Sequence, residues 1–320
     1  MIQIDSIVNG NPLYNPLVSV IVPNYNHAAF LEERIESVIN QSYLNIELII
    51  LDDCSSDNSR EVIKRYRSNR KVSHVVFNEV NGGNVFEQWK KGIELAKGEW
   101  LWIAESDDVA TPDFLETLLG FDGELKYCLS QIIDENSALS QCYGFERMPE
   151  PKSYPEFAKS FTMLSDVFLN QWMLKDNFIP NASAVIIKAD LARKVLNEID
   201  YELSKMVLMG DWLFWLKSLQ HAKSISFCEI PMNKFRHHSN TVRNLSAASR
   251  VLELQYLLRH QSKEHRSTCQ SMNTLLYRFF SPEFDKHRTF KAHTNLLIIA
   301  IKFNFLWLYC KTICKHAFKK

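Results

Sequence analysis

The stretch VSVIVPNYNHAAFLEERIESVINQSYLNIELIILDD occupies residues 18–53 and reads as strand, helix, strand. Val18–Val22 is a short run rich in β-branched residues and stopped by Pro23. From Phe30 to Ile39 the apolar residues Leu31, Ile35, Val38 and Ile39 recur at helical spacing. Glu47–Leu51 is a second apolar run, ended by Asp52-Asp53. Neither strand alternates polar with apolar. Such strands are buried on both faces, which implies a parallel sheet covered by helices on each side.

The same alternation extends downstream. Ser56 or Asp57 can cap a helix through Tyr66, and Val72–Phe77 is a third strand. Val85–Ala96 reads as a helix ended near Gly98, and Trp100–Ala104 as a fourth strand. That strand runs into Glu105-Ser106-Asp107-Asp108, after which Thr111-Pro112 opens another helix. Beyond about residue 150 the pattern loosens. Asn181–Lys188 contains one more strand, Asp211–Leu219 an aromatic-rich helix, and the chain past Asn244 reads as all-helical from Val251–Arg259 onward. The expectation is an α/β catalytic domain over residues 1–244 and a helical region over 245–320.

Composition narrows the classes. In 320 residues, 46% hydrophobic and 23% charged, Lys plus Arg equals Asp plus Glu at 37 each. Those values exclude a disordered chain, a collagen-like chain and a small disulfide scaffold, and the whole-chain balance argues against nucleic-acid binding. The zero is a cancellation. Residues 286–320 hold eight Lys or Arg and no Asp or Glu, leaving 29 basic against 37 acidic side chains in the rest. The seven cysteines form no paired framework and no CxxC, which fits reduced thiols in a cytoplasmic setting. The first residues, MIQIDSIVNGNP, lack the basic and apolar regions of a signal peptide.

Ligands of open parallel sheets bind at the carboxyl ends of strands. Two of the first four strands end in acidic pairs, Asp52-Asp53 and Asp107-Asp108, with Glu105 beside the second. Carboxylates gathered at one crevice repel one another unless a cation compensates them. Hard oxygen ligands suit Mg²⁺ or Mn²⁺, commonly bridged to substrate phosphates. Capping of the following helices is the plainer account of any single Asp, but it does not require acids in succession. No GxGxxG or GxxxxGK[ST] is present, which counts against a Rossmann dehydrogenase or a P-loop enzyme; Gly82-Gly83 is only superficially a phosphate loop.

Four segments in order, VSVIVPNYNHAAFLEERIESVINQSY (18–43), IELIILDDCSSDNS (46–59), NGGNVFEQWKKGIELAKGEWLWIAESDD (81–108) and TPDFLE (111–116), resemble the core of family 2 glycosyltransferases. GDWLFWLKSLQ (210–220) and PMNKFRHHSNT (231–241) resemble that family's later acidic and closing motifs, so the likeness spans about residues 17–243. The resemblance implies a GT-A fold, a Rossmann-like mostly parallel sheet. It also implies inverting transfer from a nucleoside-diphosphate sugar, of UDP or dTDP type, to a glycan or lipid-linked glycan acceptor.

The resemblance also suggests roles. Pro23, Tyr25 and Asn26 would line the nucleotide pocket, with Asp52 or Asp53 accepting from base or ribose. Glu105, Asp107 and Asp108 stand at the metal and diphosphate motif, whose usual first Asp is here Glu105. Asp107, Asp108 and His238 would hold Mn²⁺ or Mg²⁺. Asp211 stands at the catalytic base, preceded by Gly210 in place of the common acid, and Phe235 replaces the usual closing Tyr. Lys91, like Lys90, can reach the diphosphate or form a solvated helix face. Trp212 and Trp215 can stack on acceptor sugar or, three residues apart on a helix, pack in the core. The chain lacks the Gln-x-x-Arg-Trp signature of processive synthases. The alternatives are a sugar nucleotidyltransferase, which would want a Gly-rich basic loop after the first strand, and a degenerate homologue that only binds nucleotide or glycan.

Residues 294–310 read TNLLIIAIKFNFLWLYC, interrupted by Lys302 and Asn304, too broken for a spanning helix. With its lysines and aromatic residues the segment suits a helix lying on the anionic inner face of the cell membrane. Packing against the catalytic domain is the alternative.

Overall fold

The computed structural model describes residues 14–139, 154–174, 176–179, 181–238, and positions 253 and 257. The expected tail helix and the basic residues 286–320 lie outside the described residues, as does the region from 245 onward apart from Glu253 and Leu257. The described residues fall into two compact units. The first holds 14–173 and 177–238; Leu174, Asp176, Glu253 and Leu257 belong to the second.

In the first unit the strands are β1 (Val18–Asn24), β2 (Ile46–Asp52), β3 (Val72–Phe77), β4 (Trp100–Ile103), β5 (Val109–Ala110), β6 (Leu125–Ile133), β7 (Phe161–Leu164), β8 (Val185–Lys188) and β9 (Ser224–Arg236). The helices are α1 (Ala28–Ile39), α2 (Ser59–Tyr66), α3 (Val85–Leu95), α4 (Phe114–Leu119), α5 (Ser165–Phe168), α6 (Ala189–Leu203) and α7 (Gly210–His221). One sheet runs β3-β2-β1-β4-β8-β6-β9-β5, with β7 paired to β9.

The four apolar runs read from the sequence form the parallel half, β3-β2-β1-β4. All seven residues of β1 and of β2 are buried. The other half is mixed. β8 is antiparallel to β4 and β6, β9 is parallel to β6, and β5 and β7 are antiparallel to β9. The sheet is mixed but mostly parallel, since the long β6–β9 pairing adds a second parallel stretch to the first half. β9 carries Pro231, which cannot donate to a ladder, and its pairing with β6 shifts register there.

The core is built from the faces the sequence marks apolar. Val20, Ile35, Leu48, Trp102 and Phe114 belong to one buried cluster, with the Trp102 and Phe114 rings stacked at 4.5 Å. α3 lies close on β1 at Gly92, where a Cβ would meet Ile21 Cγ2 at 2.3 Å. Trp212 and Trp215 are buried, and the Trp212 indole donates to the Met173 carbonyl at 3.0 Å, so both tryptophans are core. Among the described residues no helix is long and apolar enough to cross a membrane.

Candidate active site

The carboxyl ends of β1, β2 and β4 converge on one edge, because the three strands are parallel neighbours. The loop after β1 is rigidly made. Asn26 takes a left-handed φ of 55°, and its Oδ1 accepts from the backbone N–H groups of Ser56 and Asp57 at 2.8 and 3.3 Å. Its own N–H donates to Ser55 Oγ at 2.9 Å, and the Ala28 N–H donates to Asp57 Oδ2 at 2.8 Å. Asp57 thus ties the start of α1 to the loop after β2, while its Oδ1 accepts from the Ser59 N–H at 2.9 Å. Pro23 is buried within β1, and Tyr25 is exposed at the rim.

Asp52 and Asp53 are both buried and both occupied. Asp52 accepts from Asn24 Nδ2 at 2.9 Å, the Ser55 N–H at 3.1 Å and Arg60 Nε at 2.9 Å. Asp53 accepts from Asn78 Nδ2 at 2.7 Å, Gln88 Nε2 at 2.9 Å and the Gly82 N–H at 3.0 Å. The Gly82-Gly83 turn therefore serves a carboxylate of the chain itself. Lys91 donates to Asn78 Oδ1 at 2.6 Å and so stands one residue from Asp53. Lys90 points elsewhere and pairs with Asp200 of α6 at 2.6 Å.

The second carboxylate group divides by environment. Glu105 accepts from the Trp89 indole at 2.9 Å, and burial together with neighbouring Asp107 pushes its carboxyl up to about 8. Burial acts upward on Asp107 as well, but a 3.0 Å hydrogen bond with His238 Nε2 and the nearby His27 outweigh it, so Asp107 titrates below the usual carboxylate range. Asp108 is raised by burial and by Asp107. Its Oδ1 accepts from the Arg236 N–H at 3.0 Å, and Ser183 is a further side-chain hydrogen-bond partner of the carboxyl.

Two arginines that the sequence reasoning passed over hold this group. Arg34 of α1 is fully buried, donates from Nε to the Glu105 carbonyl at 2.8 Å, and stands over the Trp102 ring. Among the described residues its Nη1 and Nη2 have no hydrogen-bond partner, and burial pushes its pKa down to about 10 against the pull of Asp108, Asp107 and Glu105. Arg236 ends β9. It donates to the Asp107 carbonyl at 2.7 Å, the Asp134 carbonyl at 2.9 Å and Glu33 Oε2 at 2.7 Å. That grip places His238, two residues on, against Asp107.

His27 also escaped the sequence reasoning. Its Nδ1 lies 2.8 Å from Ser106 Oγ, and ligand atoms of His27, Asp107 and His238 all lie within 4.8 Å of one another. Burial lowers the His27 pKa, which favours the neutral ring. The donor set of one carboxylate and two imidazoles fits a divalent ion. Asp108 itself is not one of the three clustered residues.

Asp211 opens α7, half-buried, with Oδ1 accepting from the Trp212 N–H at 2.7 Å and Asn177 Nδ2 at 3.5 Å from Oδ2. The preceding Gly210 rests on Phe86, whose ring packs edge-on against Trp89 at 5.0 Å. Through Trp89, which holds Glu105, the start of α7 is tied to the carboxylate edge.

Residues 19–175 match the family model described as Glycosyl transferase family 2. The domain they form belongs to that family. A Bacillus subtilis glycosyltransferase named for teichuronic acid biosynthesis, TuaG, is 39% identical over 108 residues, 34% of this chain and 42% of that protein. The chondroitin synthase of Pasteurella multocida is 26% identical over 72% of this chain and 22% of its own length. The chain thus spans less than half the length of these curated relatives. The S. aureus protein TarS, solved with UDP, superposes with a TM-score of 0.58 over 87% of this chain and 74% of that one, at 18% identity. That likeness establishes the GT-A fold of this family 2 domain, with the strand-end carboxylates at the edge where its topology places ligands.

Proposed function

We propose that the protein transfers a sugar from a nucleoside-diphosphate donor, of UDP or dTDP type, to a hydroxyl of a glycan or lipid-linked glycan, with inversion. The observation that carries the reading is the meeting of Asp107 with His238, 131 residues apart in the chain, at the carboxyl edge of the parallel strands. The family membership supports the chemistry, and the names of the relatives support a place in cell-surface polysaccharide synthesis.

In this reading the ends of β1 and β2, with Tyr25, Asn26, Asp52 and Asp53, frame the nucleotide. Lys91 and Asn78 stand beside them. Asp107 and His238, with Asp108, hold Mn²⁺ or Mg²⁺. The bound ion supplies charge stabilisation for the departing diphosphate. Asp211 takes the proton of the acceptor hydroxyl as its oxygen attacks the anomeric carbon from the face opposite the leaving group. Glu105, held by the Trp89 indole, stands beside the diphosphate position. The basic residues 286–320 fit attachment to the inner face of the cell membrane, where lipid-linked acceptors reside.

A thermal-shift screen of nucleotides and nucleotide sugars with Mn²⁺ and Mg²⁺ tests the reading. A nucleoside diphosphate with metal should raise the melting temperature, and Asp107→Ala should abolish that rise. No shift with any nucleotide and ion would reject the donor site. Removal of residues 286–320 should shift the protein from the membrane fraction to the supernatant.

A further inference from the structure

We infer that His27 completes a three-residue cation site with Asp107 and His238, one that holds a transition-type divalent ion before any nucleotide is present. The role of that ion in transfer rests on the donor site proposed above; its binding does not.

Three observations carry the inference. The first is convergence. His27 sits at the start of α1, Asp107 after β4 and His238 after β9, yet their ligand atoms lie within 4.8 Å of one another. Two ligands each about 2.1 Å from an ion and at right angles to each other are about 3 Å apart. The 3.0 Å between His238 Nε2 and Asp107 Oδ2 fits such a pair.

The second is orientation. A metal-binding imidazole is normally held by a hydrogen bond from its other nitrogen. His27 Nδ1 lies 2.8 Å from Ser106 Oγ, and when Nδ1 carries the proton the Nε2 lone pair is available to an ion. The residues either side of His27, Asn26 and Ala28, are bonded to the loop after β2. Phe30 packs against both rings, at 6.1 Å from His27 and 5.0 Å from His238, and the two imidazoles meet edge-on at 5.2 Å.

The third is donor chemistry. Magnesium sites usually rely on one or two carboxylates plus substrate phosphates, so they fill together with the nucleotide. Three protein ligands with two imidazoles suit Mn²⁺, Co²⁺ or Zn²⁺ and leave open positions for phosphate oxygens. His27 thereby changes the order of events: the ion is resident and the donor arrives to it.

The test is titration of the chelator-treated protein with Mn²⁺ by electron paramagnetic resonance, and with Mg²⁺ by calorimetry, without and with UDP. The expected result is stoichiometric Mn²⁺ binding without UDP, at least tenfold tighter than Mg²⁺. His27→Gln should weaken nucleotide-free Mn²⁺ binding at least tenfold while its melting temperature in EDTA stays at the wild-type value. Ser106→Ala, which removes only the hydrogen bond to the ring, should weaken it by a smaller factor. Mn²⁺ binding that requires UDP in the wild-type protein, or that is unchanged in both variants, would overturn the inference. Loss of UDP binding with Mn²⁺ still held at His27 would instead remove the donor site and leave the cation site standing.

Discussion

A Cβ atom on Gly210 would stand 2.4 Å from the Phe86 ring. The acid that the family resemblance leads one to expect before Asp211, the proposed base, therefore has no room here, because an aromatic side chain of α3 fills the space. The missing carboxylate is a matter of packing between α3 and α7. Gly210→Glu should destabilise the protein by about 1–3 kcal/mol, the usual cost of overpacking. Adding Phe86→Leu should restore part of the loss, and thermal melts of the three variants would check it.

Asp211→Asn keeps the size of the side chain and removes its basicity. Turnover should fall about 100-fold or more, the ordinary contribution of a positioned base. The thermal shift given by a nucleoside diphosphate with Mn²⁺ should be unchanged. Full turnover in this variant would exclude Asp211 as the base.

Arg34 is a buried cation among Glu105, Asp107 and Asp108. Arg34→Met leaves those carboxylates without it and should cost about 3–5 kcal/mol, the range for breaking a buried charge arrangement. The loss should be larger in EDTA than in Mn²⁺, since the ion replaces part of the missing charge. Equal losses in the two buffers would mean that Arg34 acts through its shape and its bond to the Glu105 carbonyl alone.

Lys126 gives a pH dependence at the end of β4 opposite the strand-end carboxylates. Its ammonium lies 4.1 Å from the Trp100 ring centroid and donates to the Leu119 carbonyl at 3.2 Å. Burial, and then the charge of Lys188, push its pKa down to about 7 from the usual 10.5. Between those values the unfolded chain holds a proton that the native protein lacks, so stability rises with pH across the window. The gain is lost as pH falls through about 7. Lys126→Met should flatten this slope and should favour the variant more at pH 6 than at pH 10. Melting curves across that range decide it.

How far the fold was legible depended on burial on two faces. β1, β2 and β4 each carry an uninterrupted apolar core, Val20–Val22, Leu48–Leu51 and Trp100–Ile103, so their runs stand out from the helices between them. β6 and β9 carry Lys126, Ser130, Asn233 and Pro231 within their length, and composition conceals them. Asn233 is buried and bonded to Ser130 at 3.0 Å, a polar pair that only the folded register brings together. The acids of the site were legible because they follow strands in succession. His27 and Arg34 were not: one His at a helix start and one Arg in an amphipathic helix are ordinary surface residues until tertiary packing turns them inward.

β9 has one further consequence, for the order in which the molecule acquires its parts during synthesis. It pairs with β5, β6 and β7 and carries Arg236 at its end, two residues before His238. A nascent chain that has emerged only as far as Asp108 already contains every acid of the strand-end cluster, together with Arg34 as their local counter-charge. Asp107 then waits more than 100 residues of translation for its histidine. The ribosome thus delivers the acids of the strand-end cluster early and the histidine that closes on Asp107 late, only after β9 has been made.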